Sequence, residues 1–179
     1  MSDSDNLYLR LLVIRCQAGD PVALEELIAM HQPRLRSFLH KMHFSHADDL
    51  LQDVWIDVFH GLPRLADPAS FVPWLYRIAR NRVYRKLRRP DLFPLDTLDP
   101  PADESAEENT FTSEDAAAVH VALDKLSPEH REVLLLRFME EMSYDDIARV
   151  TNCNLGTIRS RIHNAKRHLK SIIEQENQP

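Results

Sequence analysis

Apolar residues recur at every third or fourth position through residues 155–169, a spacing that a helix with one buried face satisfies and a strand does not. The apolar positions are Leu155, Ile158, Ile162, Ala165 and Leu169. The positions between them are polar or basic, namely Thr157, Arg159, Ser160, Arg161, His163, Asn164, Lys166, Arg167 and Lys170. The segment therefore predicts an amphipathic helix whose outer side is rich in guanidinium, amide and hydroxyl groups.

A shorter helix is predicted just before this one. Ser143 can cap it, Asp146 supports its first turn, and Ile147 gives it a buried side. Asn152 tolerates a left-handed backbone, so a tight turn is feasible without glycine, and Asn154 can cap the next helix. This arrangement predicts a helix-turn-helix that presents its basic helix to a DNA major groove, where Arg reads guanine, Asn reads adenine and Lys neutralises phosphate. A solvated basic face on an ordinary helical hairpin is the alternative.

The rest of the chain is also expected to be helical. The 179 residues include only 3 Gly, and the long periodic apolar runs show no strand-like alternation. No apolar run approaches the ~20 residues of a membrane span, and the N-terminus lacks the features of a signal peptide, so a cytoplasmic protein is expected. Cys16 and Cys153 lie far apart within apolar patterns, which predicts buried thiols and no disulfide.

The net charge of −6 hides an uneven distribution of charged residues. Nine acids stand between positions 91 and 118, which contain no Lys or Arg, so the remainder of the chain is net basic. This acidic stretch is also rich in proline and poor in apolar residues, which predicts a flexible, solvated linker over residues 91–118. The predicted fold is all-α, with two small helical domains, residues 5–90 and residues 119–174, joined by that linker.

Four helices are predicted in the N-terminal domain. The first has the apolar stripe Leu7, Leu11 and Ile14. The second begins after a cap at Asp20 and should be kinked at Pro33. The third is expected to turn inward Leu50, Leu51, Val54, Val58 and Phe59, and to expose Asp48, Asp49, Gln52, Asp53 and Asp57. The fourth follows a loop and runs from about Ala69 to Arg88.

The fourth helix carries a dense basic cluster. Its basic residues and their extension are Arg77, Arg80, Arg82, Arg85, Lys86, Arg88 and Arg89, and no acid occurs from Trp74 to Pro90. Trp74, Tyr76 and Tyr84 lie among these arginines, a mixture typical of surfaces that follow a nucleic-acid backbone and stack on unpaired bases. Trp74 also neighbours the apolar face of the helix, so a core role competes for it.

Two sets of motifs resemble the extracytoplasmic-function (ECF) group of sigma-70-type sigma factors. Residues 126–133 (Leu-Ser-Pro-Glu-His-Arg-Glu-Val), 142–148 (Met-Ser-Tyr-Asp-Asp-Ile-Ala) and 156–161 (Gly-Thr-Ile-Arg-Ser-Arg) are similar to region 4. Gly19-Asp20, residues 48–55 (Asp-Asp-Leu-Leu-Gln-Asp-Val-Trp) and residues 71–81 (Phe-Val-Pro-Trp-Leu-Tyr-Arg-Ile-Ala-Arg-Asn) are similar to region 2. The turn departs from the family pattern, because Asn152, Cys153 and Asn154 stand where Gly, an apolar residue and Pro are usual.

The resemblance implies a factor that binds core RNA polymerase, recognises the minus-ten and minus-thirty-five promoter elements and promotes DNA opening, without enzymatic activity, cofactor or metal. It implies contacts to the upstream element by Thr157, Arg159, Ser160, Arg161, His163, Asn164, Lys166 and Arg167. It implies contacts to the minus-ten element by Trp74, Arg77, Arg80, Asn81, Arg85 and Lys86, with a flipped base received by the loop from Pro63 to Ser70. Polymerase contacts are implied for Asp49, Gln52, Asp53 and Asp57.

The implied partners are promoter DNA, the clamp helices of the largest polymerase subunit, the flap of the second largest subunit, and an anti-sigma factor. The acidic linker would thread through basic polymerase channels, with a passive tether as the alternative. A solvated acidic face is the alternative for the third helix.

Two further alternatives belong to other functional classes. His40, His43 and His46 could suggest a metal site, although their spacing does not keep one helical face. A stand-alone helix-turn-helix regulator with an N-terminal sensing domain would bind duplex DNA tightly by itself, whereas a sigma factor binds promoters well only with core polymerase.

Overall fold

The computed structural model describes residues 3–42, 47–86 and 116–176, and within these ranges the chain is helical without any strand. Most of the described residues divide between two compact units, with residues 3–86 in the first and residues 116–148 and 152–176 in the second. The predicted all-α fold class is confirmed. Most of the predicted linker, together with His43 and His46, lies outside the described residues.

The first unit contains four α-helices. They are α1 (Asp3–Gln17), α2 (Pro21–Lys41), α3 (Ala47–Gly61) and α4 (Phe71–Lys86). Two short 3-10 turns, Leu62–Arg64 and Pro68–Ser70, connect α3 to α4. Asp20 caps α2 as predicted, since its carboxylate accepts the backbone N–H groups of Val22 at 3.0 Å and Ala23 at 3.2 Å. Pro33 lies inside α2, which continues past it.

The buried face of α1 is not the predicted one. Leu7, Leu11 and Ile14 are each at least half exposed. The helix buries instead Leu9, Leu12 and Val13. At about 100° per residue these two stripes lie on nearly opposite sides of α1, so periodicity alone fits both. The contacts of α1 with α2 and with the two 3-10 turns select the second stripe.

The face of α3 was predicted correctly except at one residue. Leu50, Leu51, Val54 and Val58 are buried, as expected. Phe59 is 60% exposed, so its predicted inward position is wrong. Phe59 stands about 120° around the helix from the centre of the buried stripe, which places its ring beyond the reach of α2 and α4.

The second unit contains α5 (Ala116–Lys125), α6 (Pro128–Leu134), α7 (Tyr144–Thr151) and α8 (Leu155–Glu176). A wider π-helical turn, Leu135–Met139, extends α6. The predicted stripe of α8 packs on α5 and α6, because Ile158, Ile162, Ala165 and Leu169 are buried and Leu155 is partly buried.

Arg131 joins α5 to α6. It is buried, and its guanidinium donates to the backbone carbonyls of Leu123 at 2.8 Å, Asp124 at 2.7 Å and Leu126 at 3.2 Å. Carbonyls at a helix C-terminus lack intrahelical donors, so this side chain satisfies the end of α5. The second unit thus offers α8 a rigid support.

Two sequence expectations concern thiols and the membrane. Cys16 and Cys153 are free, as predicted, but both are half-buried and not fully buried. Desolvation nevertheless raises the pKa of the Cys16 thiol. Among the described residues, no helix is both long and apolar enough to cross a membrane.

Candidate nucleic-acid interface

The turn between α7 and α8 has the predicted helix-turn-helix geometry. Ser143 caps α7, its hydroxyl accepting the backbone N–H of Asp146 at 3.1 Å. Asn152 is left-handed, with φ 56° and ψ 39°, and ends α7. Asn154 Oδ1 accepts the backbone N–H of Thr157 at 2.7 Å, so it caps α8. The turn therefore fixes the direction in which α8 leaves α7.

A second set of contacts holds the segment that leads from the π-helical turn into α7. Sequence reasoning did not predict these contacts. Arg137 Nη1 donates to the Met142 carbonyl at 2.8 Å, and its guanidinium lies 5.2 Å from the centre of the Tyr144 ring. The chain between them turns through Glu141, whose φ is +56°. A bend that uses a left-handed non-glycine residue is visible only in coordinates, since nothing in the sequence marks Glu141 for it.

The predicted DNA-binding side chains of α8 differ in exposure. Arg159 and Arg167 are exposed, whereas Thr157, His163 and Lys166 are partly buried. Ser160, Arg161 and Asn164 are only 6%, 3% and 7% exposed, so the expected fully exposed polar face is wrong at these three positions.

Local contacts account for two of these three side chains. Ser160 donates its hydroxyl to the Thr157 carbonyl at 3.0 Å, which satisfies it within the helix. Arg161 lies about 60° from Ile158 around α8, at the edge of the buried stripe, and its guanidinium approaches Cys153 Sγ at 3.7 Å.

Phe138 adds an aromatic side chain beside α8. It lies in the π-helical turn, its ring is more than half exposed, and Lys166 Nζ is 5.2 Å from the ring centre. An ammonium over an aromatic face is held by the ring quadrupole. Phe138 thus restricts the directions that Lys166 adopts, a role that its sequence position did not reveal.

A second basic face lies on α4. Arg77, Asn81, Arg85 and Lys86 are exposed, as predicted for the minus-ten contacts. Arg80 is only 4% exposed, and its guanidinium lies 4.5 Å from the centre of the Tyr84 ring. Its predicted exposure is therefore wrong, because Arg80 stands on the flank of α4 that carries the buried tyrosine.

Trp74 is partly buried, so the core role is observed in part and the minus-ten contact stays a prediction. Its ring lies 6.1 Å from that of Phe71. Gly61, the last residue of α3, faces it so closely that a Cβ there would be 2.8 Å from Trp74 Cζ2. The indole therefore rests on the end of α3 and leaves part of its surface exposed.

The loop between α3 and α4 is held in place by polar contacts. Asp67 accepts the backbone N–H of Ala69 at 3.0 Å and the Ser70 hydroxyl at 2.9 Å. These hydrogen bonds, the Ala69 N–H first, lower the pKa of the Asp67 carboxyl. From α1, Gln17 Nε2 donates to the carbonyls of Leu62 at 3.0 Å and Leu65 at 2.8 Å. The loop is therefore held both by its own hydrogen bonds and by Gln17 of α1.

The four polar residues of α3 that the resemblance assigns to polymerase form two groups. Asp49 and Gln52 are exposed. Asp57 receives both Arg82 Nε at 2.5 Å and Arg82 Nη2 at 2.6 Å, and Asp53 receives Arg82 Nη1 at 3.1 Å. The hydrogen bond from Arg82 lowers the pKa of the Asp57 carboxyl. Sequence reasoning placed Arg82 in the basic cluster of α4 but did not pair it with α3.

Apolar side chains share the exposed face of α3. Ile56 and Phe59 are both more than half exposed. They lie within about 80° of Asp49 and Gln52 around the helix. An exposed aliphatic and aromatic pair with acids beside it is typical of a protein interface, where apolar groups occupy the centre and charges the rim.

Metal binding has no support in the described part of the chain, which contains no cluster of three or more His, Cys, Asp or Glu able to hold an ion. His40 is exposed on α2. His43 and His46 lie outside the described residues. A metal site at His40, His43 and His46 therefore stays the alternative that the sequence suggested.

Two separate helical units, each with its own basic helix, define a two-module nucleic-acid-binding protein. Residues 27–91 match the family model "Sigma-70 region 2", and residues 116–169 match "Sigma-70, region 4". The chain is 32% identical over 180 residues to the RNA polymerase sigma-H factor of Pseudomonas aeruginosa, covering 91% of this chain and 92% of that one. It is 28% identical over 185 residues to the ECF RNA polymerase sigma-E factor of Escherichia coli, covering 96% and 97%.

Solved structures with similar folds include two complexes. CnrH in complex with the cytosolic domain of CnrY superposes with a TM-score of 0.72 at 24% identity, covering 94% of this chain and 99% of that one. The sigma factor RpoE in complex with the anti-sigma factor NepR from Bartonella quintana gives a TM-score of 0.64 at 26% identity, covering 84% and 96%. The chain belongs to the ECF group of the sigma-70 family. It is a transcription initiation factor and not an enzyme, so the stand-alone regulator is not favoured.

Proposed function

We propose that the two units grip a promoter at two points, with α8 in the minus-thirty-five element and α4 with its preceding loop on the minus-ten element. The observation that carries this proposal is the presence of exposed arginines on one helix of each unit: Arg159 and Arg167 on α8, Arg77 and Arg85 on α4. Neither face contains a catalytic group, and none is needed. Unstacking costs a few kcal/mol per base, which pocket contacts and phosphate pairing offset.

In the upstream element, Arg159 and Arg167 are the leading candidates for base and phosphate contacts. At about 100° per residue they lie on one side of α8 with His163 and Lys166 between them. Thr157 lies near the capped N-terminus, where backbone N–H groups favour a phosphate. Ser160, Arg161 and Asn164 remain candidates only if their side chains become accessible to the groove.

In the minus-ten element, Arg77, Asn81, Arg85 and Lys86 would follow the strand along the exposed side of α4, and Trp74 would stack on a base beside the ordered loop from Pro63 to Ser70. Stacking on an aromatic ring is worth ~1–3 kcal/mol per base. Arg80 is buried over Tyr84, so it would support this surface without contacting the DNA strand itself.

For core polymerase, we propose that the exposed face of α3 binds the clamp helices of the largest subunit. Ile56 and Phe59 would form the apolar centre of this contact. Asp49, Gln52, Asp53 and Asp57 would supply the polar and charged rim. The second unit would bind the flap of the second largest subunit, and the acidic linker between the units would pass through basic channels of the enzyme.

We propose that an anti-sigma factor regulates this chain, and the similarity to the sigma factor solved with NepR supports this. Such a partner would cover the polymerase-binding and DNA-binding faces. Because these activities require RNA polymerase, we place the protein in the cytoplasm.

Run-off transcription with purified core RNA polymerase tests the proposed function. The chain is expected to form a stable complex with core and to yield promoter-dependent transcripts from genomic fragments that the complex selects. The chain alone should bind the same fragments weakly. Failure to bind core, or tight sequence-specific duplex binding by the free chain, would contradict the proposal.

A further inference from the structure

Arg82 connects the two proposed binding faces of the first unit. It belongs to the arginine-rich helix α4, yet its side chain points to α3 and is only 20% exposed. Its guanidinium donates one hydrogen bond to Asp53 and two to Asp57, where the pair is bidentate. These carboxylates belong to the surface proposed for polymerase, whereas the helix that supplies Arg82 is proposed for DNA.

The contact neutralises part of the acidic face of α3. Two carboxylates share one guanidinium, so a basic partner meets a weaker negative field at Asp53 and Asp57 than the sequence suggests. The two carboxylates are 38% and 35% exposed, which leaves them open to competing cations. Since both carboxylates are partly exposed, a basic surface that excludes water can compete with Arg82 for them.

We propose that Arg82 is a charge shared between the two binding partners. In the free chain it occupies Asp53 and Asp57; when basic side chains of core polymerase take up these carboxylates, Arg82 is released to a phosphate of the minus-ten strand. This inference rests on the proposed function, because it requires α3 to bind polymerase and α4 to bind DNA. It adds a specific internal competitor that lowers the affinity of the free chain for each partner.

The first test measures DNA binding by the full chain without polymerase. The probe is a fluorescein-labelled twelve-nucleotide single strand of mixed sequence, followed by anisotropy. D57N keeps the shape of the side chain but loosens the fork on Arg82. It is expected to bind the strand about fivefold more tightly at 0.1 M salt, with a log–log salt slope steeper by about 0.7, as one added phosphate contact gives.

The matched control is E25Q, which removes the same charge from an exposed position on α2. It is expected to bind the strand like the unmodified chain, apart from the small effect of net charge. Equal affinities and equal salt slopes for D57N and E25Q would overturn the inference.

The second test measures core binding and initiation. R82Q is expected to bind core polymerase two- to threefold more tightly, because Asp53 and Asp57 lose their internal partner, while open-complex formation falls several-fold. R10Q, with the same charge change on α1, should alter neither. If folded R82Q binds core more weakly, Arg82 is a structural clamp and the inference is wrong.

The two proposals fail in different ways. If D53N and D57N leave core affinity unchanged, Asp53 and Asp57 do not contact polymerase and that part of the proposed function is wrong. A second outcome is that both variants weaken core binding while D57N binds the strand no more tightly than E25Q. In that case α3 is supported as the polymerase-binding face, and only the release of Arg82 to DNA is excluded. Should R82Q fail to fold, the D57N and E25Q pair decides alone.

Discussion

Two residues of the second unit hold a left-handed backbone, and they differ in how well they suit it. Asn152 has a short amide side chain that tolerates this conformation, which explains a turn built without glycine. Glu141 has no such advantage, and its φ of +56° leads the chain from the Arg137 contact into the cap at Ser143. The approach to the helix-turn-helix therefore stores strain at a single residue.

Replacing Glu141 by glycine should release this strain. The left-handed conformation costs a non-glycine residue ~1–2 kcal/mol, and the added freedom of glycine in the unfolded chain returns part of that gain. E141G is expected to raise the free energy of unfolding of the second unit by about 0.5–1 kcal/mol, measured by urea denaturation. A loss of stability would mean that the Glu141 side chain makes a stabilising contact larger than the strain.

Arg159 and Lys170 should affect DNA binding in different ways. Both are exposed on α8, but Arg159 lies near its N-terminal end and Lys170 near its C-terminal part. R159A is expected to cost about 1–3 kcal/mol at particular base pairs and to relax preference in the upstream element. K170A should weaken all sequences alike and reduce the salt slope by about one. Holoenzyme binding to a promoter library at several salt concentrations checks both, and identical profiles would refute the assigned recognition face.

At the scale of the helices, the first unit encloses a histidine that should make it sensitive to acid. His31 on α2 is buried with its ring 5.4 Å from that of Phe71. Burial, assisted by the charge of Arg34, lowers the pKa of His31 from 6.5 to about 4. The folded unit therefore keeps His31 neutral at pH values where the unfolded chain would already protonate it.

The sign of the pH effect follows from proton binding. Between pH 6.5 and about 4 the unfolded chain holds more protons at His31 than the folded chain, so stability falls as pH is lowered through this window and levels off below it. The loss is on the order of 3 kcal/mol. H31L should flatten this part of the pH dependence, measured by urea unfolding of the first unit from pH 7.5 to 4. An unchanged difference between pH 7 and pH 4.5 would contradict it.

Sequence patterns predicted where the helices lie better than they predicted which residues each helix packs against. The apolar stripe of α8 and the caps at Asp20, Ser143 and Asn154 were readable because each depends on residues within a few positions. The buried face of α1 could not be predicted in this way, because α1 carries two apolar stripes. Packing against α2, which lies further along the chain, decides which stripe is buried. The same reason hid the pairing of Arg82 with Asp57, whose partners stand 25 positions apart.

For the whole molecule, the division into two compact units predicts that a substitution can destabilise one unit and leave the stability of the other unchanged. Arg131 belongs to the second unit, where it donates to carbonyls at the end of α5. R131A removes this donor, and although the Leu123 carbonyl still accepts the Leu126 N–H, one buried carbonyl left unsatisfied costs about 1–3 kcal/mol. Calorimetry of the full chain should show the transition of the second unit shifted downward and that of the first unit unchanged.

The functional consequence of R131A should follow the same division. Core polymerase binding through α3 is expected to persist, while recognition of the minus-thirty-five element declines. Polymerase holds the minus-ten and minus-thirty-five contacts at a fixed distance, so binding at one makes binding at the other nearly intramolecular. Loss of the minus-thirty-five contact therefore also removes this gain in promoter affinity. A simultaneous shift of both calorimetric transitions would show that the two units unfold as one.

The close approach of Trp74 to the end of α3 also limits how the sequence can change over evolutionary time. Even alanine at position 61 would place its Cβ 2.8 Å from the indole, so the last residue of α3 is selected by a side chain thirteen positions further along. Exposed residues of α3 that do not touch α4 can change without affecting it, but the partly buried Gly61 cannot. Among descendants of this chain, glycine at position 61 and a large aromatic residue at position 74 should be inherited or lost together.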